Sequence, residues 1–201
     1  MNYKVNISPG NRKLGGVPSF SLPSGRSCSA AARETCHKDC YFHRHVEKLY
    51  IGARMNCLEN YDFSKNDPIK FEKDLNWHLD GPNAPRLFRI HVGGDFYSAA
   101  YFELWLRVIR RHKRTRFLAF TKQFDIVRPY LNNLPKNLSL VASAWPDVDM
   151  PKDIRQAIPV AWMQDGTVTD IPTDAIPCEG HCETCGRCWA LDGKHVVFNK
   201  H

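Results

Sequence analysis

Thiols are the residues of this chain best suited to chemistry, and they fall into two groups. Cys178, Cys182, Cys185 and Cys188 lie within eleven positions in the run "CEGHCETCGRCW". The last three form C-x2-C-x2-C, a spacing that lets thiolates converge on one soft metal centre from a tight loop, as in bacterial ferredoxin-type iron–sulfur ligation. Cys178 offers a fourth ligand. The Cys-Pro pair that closes ferredoxin runs is absent, since Trp189 follows Cys188. Zinc also accepts four thiolates, usually from two C-x2-C pairs separated by a longer loop, so a run this compressed favours a cluster and leaves zinc as the alternative metal. Disulfides are the weaker expectation. The opening residues carry no apolar signal segment, and 201 residues with 43% hydrophobic content bury a core without staples.

The second group is Cys28, Cys36 and Cys40, in "SCSAAARETCHKDCYF". Three thiolates with no adjacent fourth could hold three irons of a [4Fe–4S] cluster and leave the fourth open to a substrate or cofactor. Cys57 either closes that site or is a buried thiol, the commoner fate of a lone cysteine. His37, His43 and His45 either complete a three-cysteine zinc site or line the polar face of a helix.

These groups need a scaffold, and the pattern between them is one of alternation. A helix is expected over about 34–55 and a polar one over 68–79. Then come an apolar strand at 86–96 ending in a glycine pair and an amphipathic helix at 98–113, with Ser98 as N-cap and Phe102, Trp105, Leu106 and Ile109 at i, i+3, i+4, i+7. Strands at 116–122, 138–145 and 159–165 alternate with helices at about 125–131 and 151–158. With one strand before Cys28 and another at 195–199, five or six strands are available. Short apolar strands separated by single helices specify a parallel sheet covered on both faces. The fold expected is α/β, an incomplete (β/α) barrel over 1–176, with a short Cys-rich carboxy-terminal module over 177–201. In such architectures chemistry gathers at the carboxyl ends of the strands. Here those ends carry Gly93, Gly94 and Asp95, then Thr121 and Lys122, then Ser143 with Trp145, then Gln164 and Asp165.

A three-cysteine loop ahead of a helix, a strand ending in Gly93-Gly94-Asp95, and further βα units together resemble the radical S-adenosylmethionine enzymes. The resemblance implies a four-iron cluster on Cys28, Cys36 and Cys40 that chelates S-adenosylmethionine, with the glycine segment contacting the cofactor's amino group. The spacing departs from that family's C-x3-C-x2-C, being C-x7-C-x3-C. The segments "RIHVGGDFYSAAYFELWLRVIRRH", "FLAFTK" and "CETCGRCW" also resemble a family of small phage-encoded proteins named after a phage gene product. That resemblance supports the fold and brings no activity.

The net charge of +7 leans toward a polyanionic partner, a nucleic acid or nucleotide. The run "RVIRRHKRTR" fits that reading, but Arg107, Arg110, Arg111 and Arg114 recur at helical spacing opposite the apolar face, as a solvated surface does. No stretch is apolar enough to span a membrane, so a cytoplasmic location is expected, in the host if the protein is phage-encoded. No Walker-type loop or G-x-S-x-G elbow is present. Three functions fit. One is a radical-S-adenosylmethionine-like enzyme modifying a nucleotide or nucleic acid during phage infection, with one or two [4Fe–4S] clusters. Another is a non-catalytic iron–sulfur or zinc protein binding nucleic acid or a host protein. The third is a metal-dependent hydrolase or transferase.

Overall fold

The computed structural model describes residues 3–199. It is a mixed α/β structure built on one eight-stranded sheet. The strands are β1 (Ile7–Ser8), β2 (Ser19–Phe20), β3 (Leu87–Ile90), β4 (Arg116–Thr121), β5 (Leu138–Ser143), β6 (Val160–Gln164), β7 (Ile176–Pro177) and β8 (Val196–Asn199). Their order is β1-β2-β3-β4-β5-β6-β8-β7, and every neighbouring pair is parallel except the antiparallel β1/β2. The strand expected before Cys28 is β2, and the one expected at 195–199 is β8. The two additional strands, β1 and β7, have two residues each, too short to leave a periodic signal.

Helices α1 (Ala30–Glu34), α2 (Ile51–Asn66), α3 (Pro68–Leu79), α4 (Ala99–Arg111), α5 (Phe124–Val127), α6 (Lys152–Ala157) and α7 (Cys182–Cys185) complete the set. Local chemistry sets their starts. Asp67 accepts from the Lys70 amide ahead of Pro68, whose missing N–H falls where a helix has no partner for it. Ser98 accepts from the Tyr101 amide, as expected of an N-cap. The apolar stripe of α4 is buried as expected, with Trp105 fully enclosed and its ring edge-on to Phe20.

Two features differ from the reading of the sequence. Parallel strands alternate their side chains between faces, and the two faces here are covered differently. Phe88, Ile90, Phe117, Ala119, Leu140, Ala142 and Val160 belong to the core shared with the helices. Leu118, Val141 and Ala161 belong to a second cluster with Leu14, Val17, Trp189, Leu191 and Val196. Helices therefore cover one face, and the cysteine-rich carboxy-terminal segment with an amino-terminal loop covers the other. The expected boundary at 176/177 falls inside β7, whose pairing with β8 joins the two parts in one sheet.

The second difference is the expected helix over 34–55. The chain there makes α1, a 3-10 turn at Cys36–Asp39 and a π-helical segment at Phe42–Glu47, before α2 starts at Ile51. Thr35 (φ −111°, ψ −88°), Cys40 (ψ 113°) and Tyr50 (ψ 91°) leave the helical region and break the run. Good helix formers do not prevent this where tertiary contacts, described below, hold each turn separately.

Candidate functional site

The loop between β3 and α4 is the hub of the strand-end site. β3 stops at Ile90 because His91 adopts a left-handed conformation (φ 57°), so the expected strand to residue 96 is four residues long. Beyond it the Asp95 carboxylate is buried and accepts three hydrogen bonds: Thr121 Oγ1 at 2.8 Å, Lys122 N at 2.7 Å and Phe96 N at 2.8 Å. Burial pushes its pKa up to about 6, against those hydrogen bonds, which favour the anion. Asp95 thus clasps the β3 loop to the end of β4. Lys122 extends from that end, its Nζ donating to Ser143 Oγ at 2.9 Å and lying 5.6 Å from the Trp145 ring centroid. Four strand-end residues expected on one rim, Asp95, Thr121, Lys122 and Ser143, are joined by direct hydrogen bonds.

Gly93 and Gly94 serve this arrangement by packing. A Cβ on Gly93 would lie 2.0 Å from the Phe42 ring, and one on Gly94 2.4 Å from Ser27 Oγ and 2.7 Å from Leu22 Cβ. The space left by each missing side chain is filled by the protein itself, which seats the cysteine loop on the glycine pair. Ser27 donates to the Pro23 carbonyl and accepts from the Asp95 amide, tying the same loop to the backbone of the same residue.

Cys28 precedes α1, and Cys36 and Cys40 stand at the two ends of the 3-10 turn that follows it. Cys36 Sγ donates to the Ala32 carbonyl at 3.4 Å. All three thiols are half-buried; Cys36 and Cys40 act electrostatically on Cys28 and Cys40 on Cys36, while Asp95 acts on Cys28 and Cys36 and Lys122 on Cys36. Burial pushes the Cys28 thiol up to about 12, with Asp95 adding to the effect. Burial raises Cys36 as well, Lys122 opposing it.

Glu47, which belongs to no sequence motif, holds the loop shut. Its buried carboxylate accepts from the Ser24 amide at 2.7 Å, makes a short hydrogen bond with Ser24 Oγ, and meets His43 Nδ1 at 3.1 Å. The His37 ring packs on His43 with centroids 4.3 Å apart, and His45 packs on Tyr41. His37 and His43 therefore belong to the clasp around Glu47. Cys57 is buried in α2, its pKa pushed up to about 12 by burial, and Glu47 is the ionisable group acting on it.

The carboxy-terminal thiols lie on the opposite face of the sheet. All four line one cavity of about 20 Å³. Cys178, Cys182 and Cys188 pack against the cluster built on Leu118, Val141 and Trp189. α7 ends at Gly186 in the left-handed region (φ 58°), which a residue without Cβ adopts freely and which turns the chain between Cys185 and Cys188. Trp189 Nε1 donates to the Phe88 carbonyl at 3.2 Å, the Cys182 amide to the Lys13 carbonyl at 2.9 Å, and Glu183 accepts from the Gly16 amide. Burial pushes the Cys188 thiol up to about 11, Cys178 adding to the effect.

Among the described residues, no three His, Cys, Asp or Glu side chains are drawn in around a single ion. A four-iron cluster puts each thiolate on a different iron, so its ligands stand apart around the inorganic core. In both groups the donors are free thiols carried on short turns, which fits such a group chemically.

The basic stretch on α4 is largely paired. Arg107 makes a bidentate contact with Glu72, Arg111 meets Asp80, and Arg110 donates to the Asn133 carbonyl. Among the described residues no helix is long and apolar enough to cross a membrane.

The fold and its two thiol groups define an α/β protein with one sulfur-rich site at the strand ends and another under the sheet. The chain belongs to the phage protein family described as Gene product 88, which it matches over residues 4–191. It is 32% identical to the Gene 88 protein of Mycobacterium phage D29, over 98% of this chain and 93% of that one. To the Gene 88 protein of Mycobacterium phage L5 it is 33% identical, over 73% of this chain and 64% of the relative. No solved structure matches it.

Proposed function

We propose that the chain is an iron–sulfur protein whose Cys28, Cys36 and Cys40 hold a four-iron cluster with one iron open toward the strand ends. The observation that carries this reading is the placing of Cys28 and Cys36, each within the influence of Cys40, beside Asp95 and Lys122, which are themselves hydrogen-bonded. On this reading the fold is an incomplete (β/α) barrel of the radical-S-adenosylmethionine kind, which the consecutive order of β2 to β6 supports. The cluster would supply electrons and an open coordination site.

The protein's own residues have separate tasks. Lys122 offers a cation to a ligand carboxylate, and Ser143 orients it. Asp95, already holding three donors, keeps Thr121 and Lys122 in position. Gly93 and Gly94 seat the cysteine loop. The net charge of +7 supports a nucleotide or nucleic acid as the substrate modified. A non-catalytic metal–thiolate protein is the second reading, favoured by the filling of the glycine positions by Phe42, Leu22 and Ser27.

The test is anaerobic purification followed by iron and sulfide analysis and EPR of the reduced protein with and without S-adenosylmethionine. An enzyme of this kind gives a cluster signal that the cofactor perturbs, and Lys122→Ala weakens the perturbation with iron content intact. A cluster signal indifferent to the cofactor favours the non-catalytic reading. Absence of iron from Cys28, Cys36 and Cys40 contradicts both iron–sulfur readings of that site.

A further inference from the structure

We propose that Cys178, Cys182, Cys185 and Cys188 hold a dianionic tetrathiolate [4Fe–4S] centre, and that Arg89, on the sheet face the cysteine segment covers, is its counter-cation. The inference rests on reading the four thiols as metal ligands and adds a residue that no thiol motif contains.

Arg89 lies between Phe88 and Ile90, which belong to the helix-side core, so strand alternation turns it toward the face covered by the terminal segment. There its guanidinium lies 4.1 Å from the Phe120 ring centroid, and its Nε and Nη2 donate to the His91 carbonyl at 3.3 and 3.2 Å. Among the described residues no carboxylate pairs with it. The ionisable groups acting on it are the thiols of Cys188 and Cys182. Arg89 is half-buried, and a guanidinium partly withdrawn from water is stabilised by an anion beside it, which neutral thiols do not supply.

A tetrathiolate centre does. Four thiolates around an oxidised [4Fe–4S] core leave two negative charges. The second cation is also in place. Lys13 lies 4.4 Å from the Phe198 ring centroid, acts on Cys182, and its carbonyl accepts from the Cys182 amide. Trp189, bonded to the Phe88 carbonyl, fixes the cysteine loop beside Arg89. Sheet and loop thus present two cations to four thiols.

The experiment compares Arg89→Met, which keeps length and removes charge, with Arg89→Lys, which keeps charge. Iron and sulfide per chain are first measured in the wild type and in Cys185→Ser, to establish that the quartet holds a cluster. An EPR-monitored reductive titration follows. Arg89→Met disfavours reduction by at least tenfold, about 59 mV for one electron, while Arg89→Lys stays within threefold of wild type. Lys13→Met moves the readout the same way by about threefold and carries the test if Arg89→Met does not fold. Metal lost in Cys185→Ser but equal behaviour of Met and Lys at position 89, or no shift in Lys13→Met, overturns the counter-cation while the ligands stand. Metal content unchanged in Cys185→Ser overturns the ligand reading and the proposal with it.

Discussion

The two thiol groups share a chemistry and differ in what surrounds it. Cys28, Cys36 and Cys40 sit on short turns at the strand ends, beside a lysine, a buried carboxylate and Ser143. Cys178, Cys182, Cys185 and Cys188 line one cavity beneath the sheet, among Trp189, Leu118 and Val141, with Arg89 as the facing cation. Three ligands with polar neighbours make a site that can take a further ligand. Four around an apolar-walled cavity make one that can only be held together. The difference lies in thiol count and in place, the strand ends for one group and one face of the sheet for the other, since sulfur is common to both.

The largest effect that would separate them is local unfolding. Metal binding and folding are coupled where the ligands organise a loop. Cys182→Ala should therefore make the chain beyond Ile176 susceptible to limited proteolysis while 3–170 stays resistant. Cys36→Ala should leave the terminal segment protected. Equal protease patterns in the two variants would erase the distinction.

Next in size is the Asp95 clasp. Asp95→Ala strands the buried donors of Thr121, Lys122 and Phe96, each worth about 1–3 kcal/mol when left unpaired, so a loss of roughly 3 kcal/mol or more is expected in denaturant titration. The same change should leave the metal content of the terminal quartet untouched.

His91 links the Arg89 side of the sheet to the helix-side core, its carbonyl accepting from Arg89 and its Nε2 3.1 Å from Tyr101 Oη. Burial holds its pKa down at about 3, with Arg89 adding to the effect. The unfolded chain takes up this proton near pH 6.5 while the folded one stays neutral, so stability is complete above pH 6.5. It falls by about 1.4 kcal/mol per pH unit as the solution is acidified toward pH 3. His91→Phe should remove that contribution from the measured pH dependence of unfolding; an unchanged slope would mean that the ring is charged in the fold.

The smallest effect expected is at Trp189. Trp189→Phe keeps the apolar contact and deletes the bond to the Phe88 carbonyl, costing about 1 kcal/mol by thermal or chemical unfolding.

Much of the scaffold was legible because its signals are periodic. The stripe of α4, the short apolar strands and the polar residue at each strand end identified the α/β class and the rim from Asp95 to Ser143. Cysteine spacing marked both thiol groups. Local signals failed where distant contacts decide. The helix expected over 34–55 breaks because Glu47 binds Ser24 and His43, and Phe42 seats on Gly93, contacts that composition cannot announce. The apolar runs read as strands covered by helices on both faces, and one cover proved to be the cysteine-rich segment itself, whose Trp189 and Leu191 are too few to show a period. Arg89 was hidden inside a strand, where one charged residue looks like a solvent-facing position.

The central claim is that the two groups are independent metal centres, and counting metal tests it most directly. Iron, sulfide and zinc per chain should be measured in anaerobically purified wild type, Cys36→Ser, Cys185→Ser and the double variant. The account predicts that each single variant loses one centre's complement and keeps the other's, and that the double variant is empty. Equal metal in all four proteins, or loss of everything in either single variant, would contradict it.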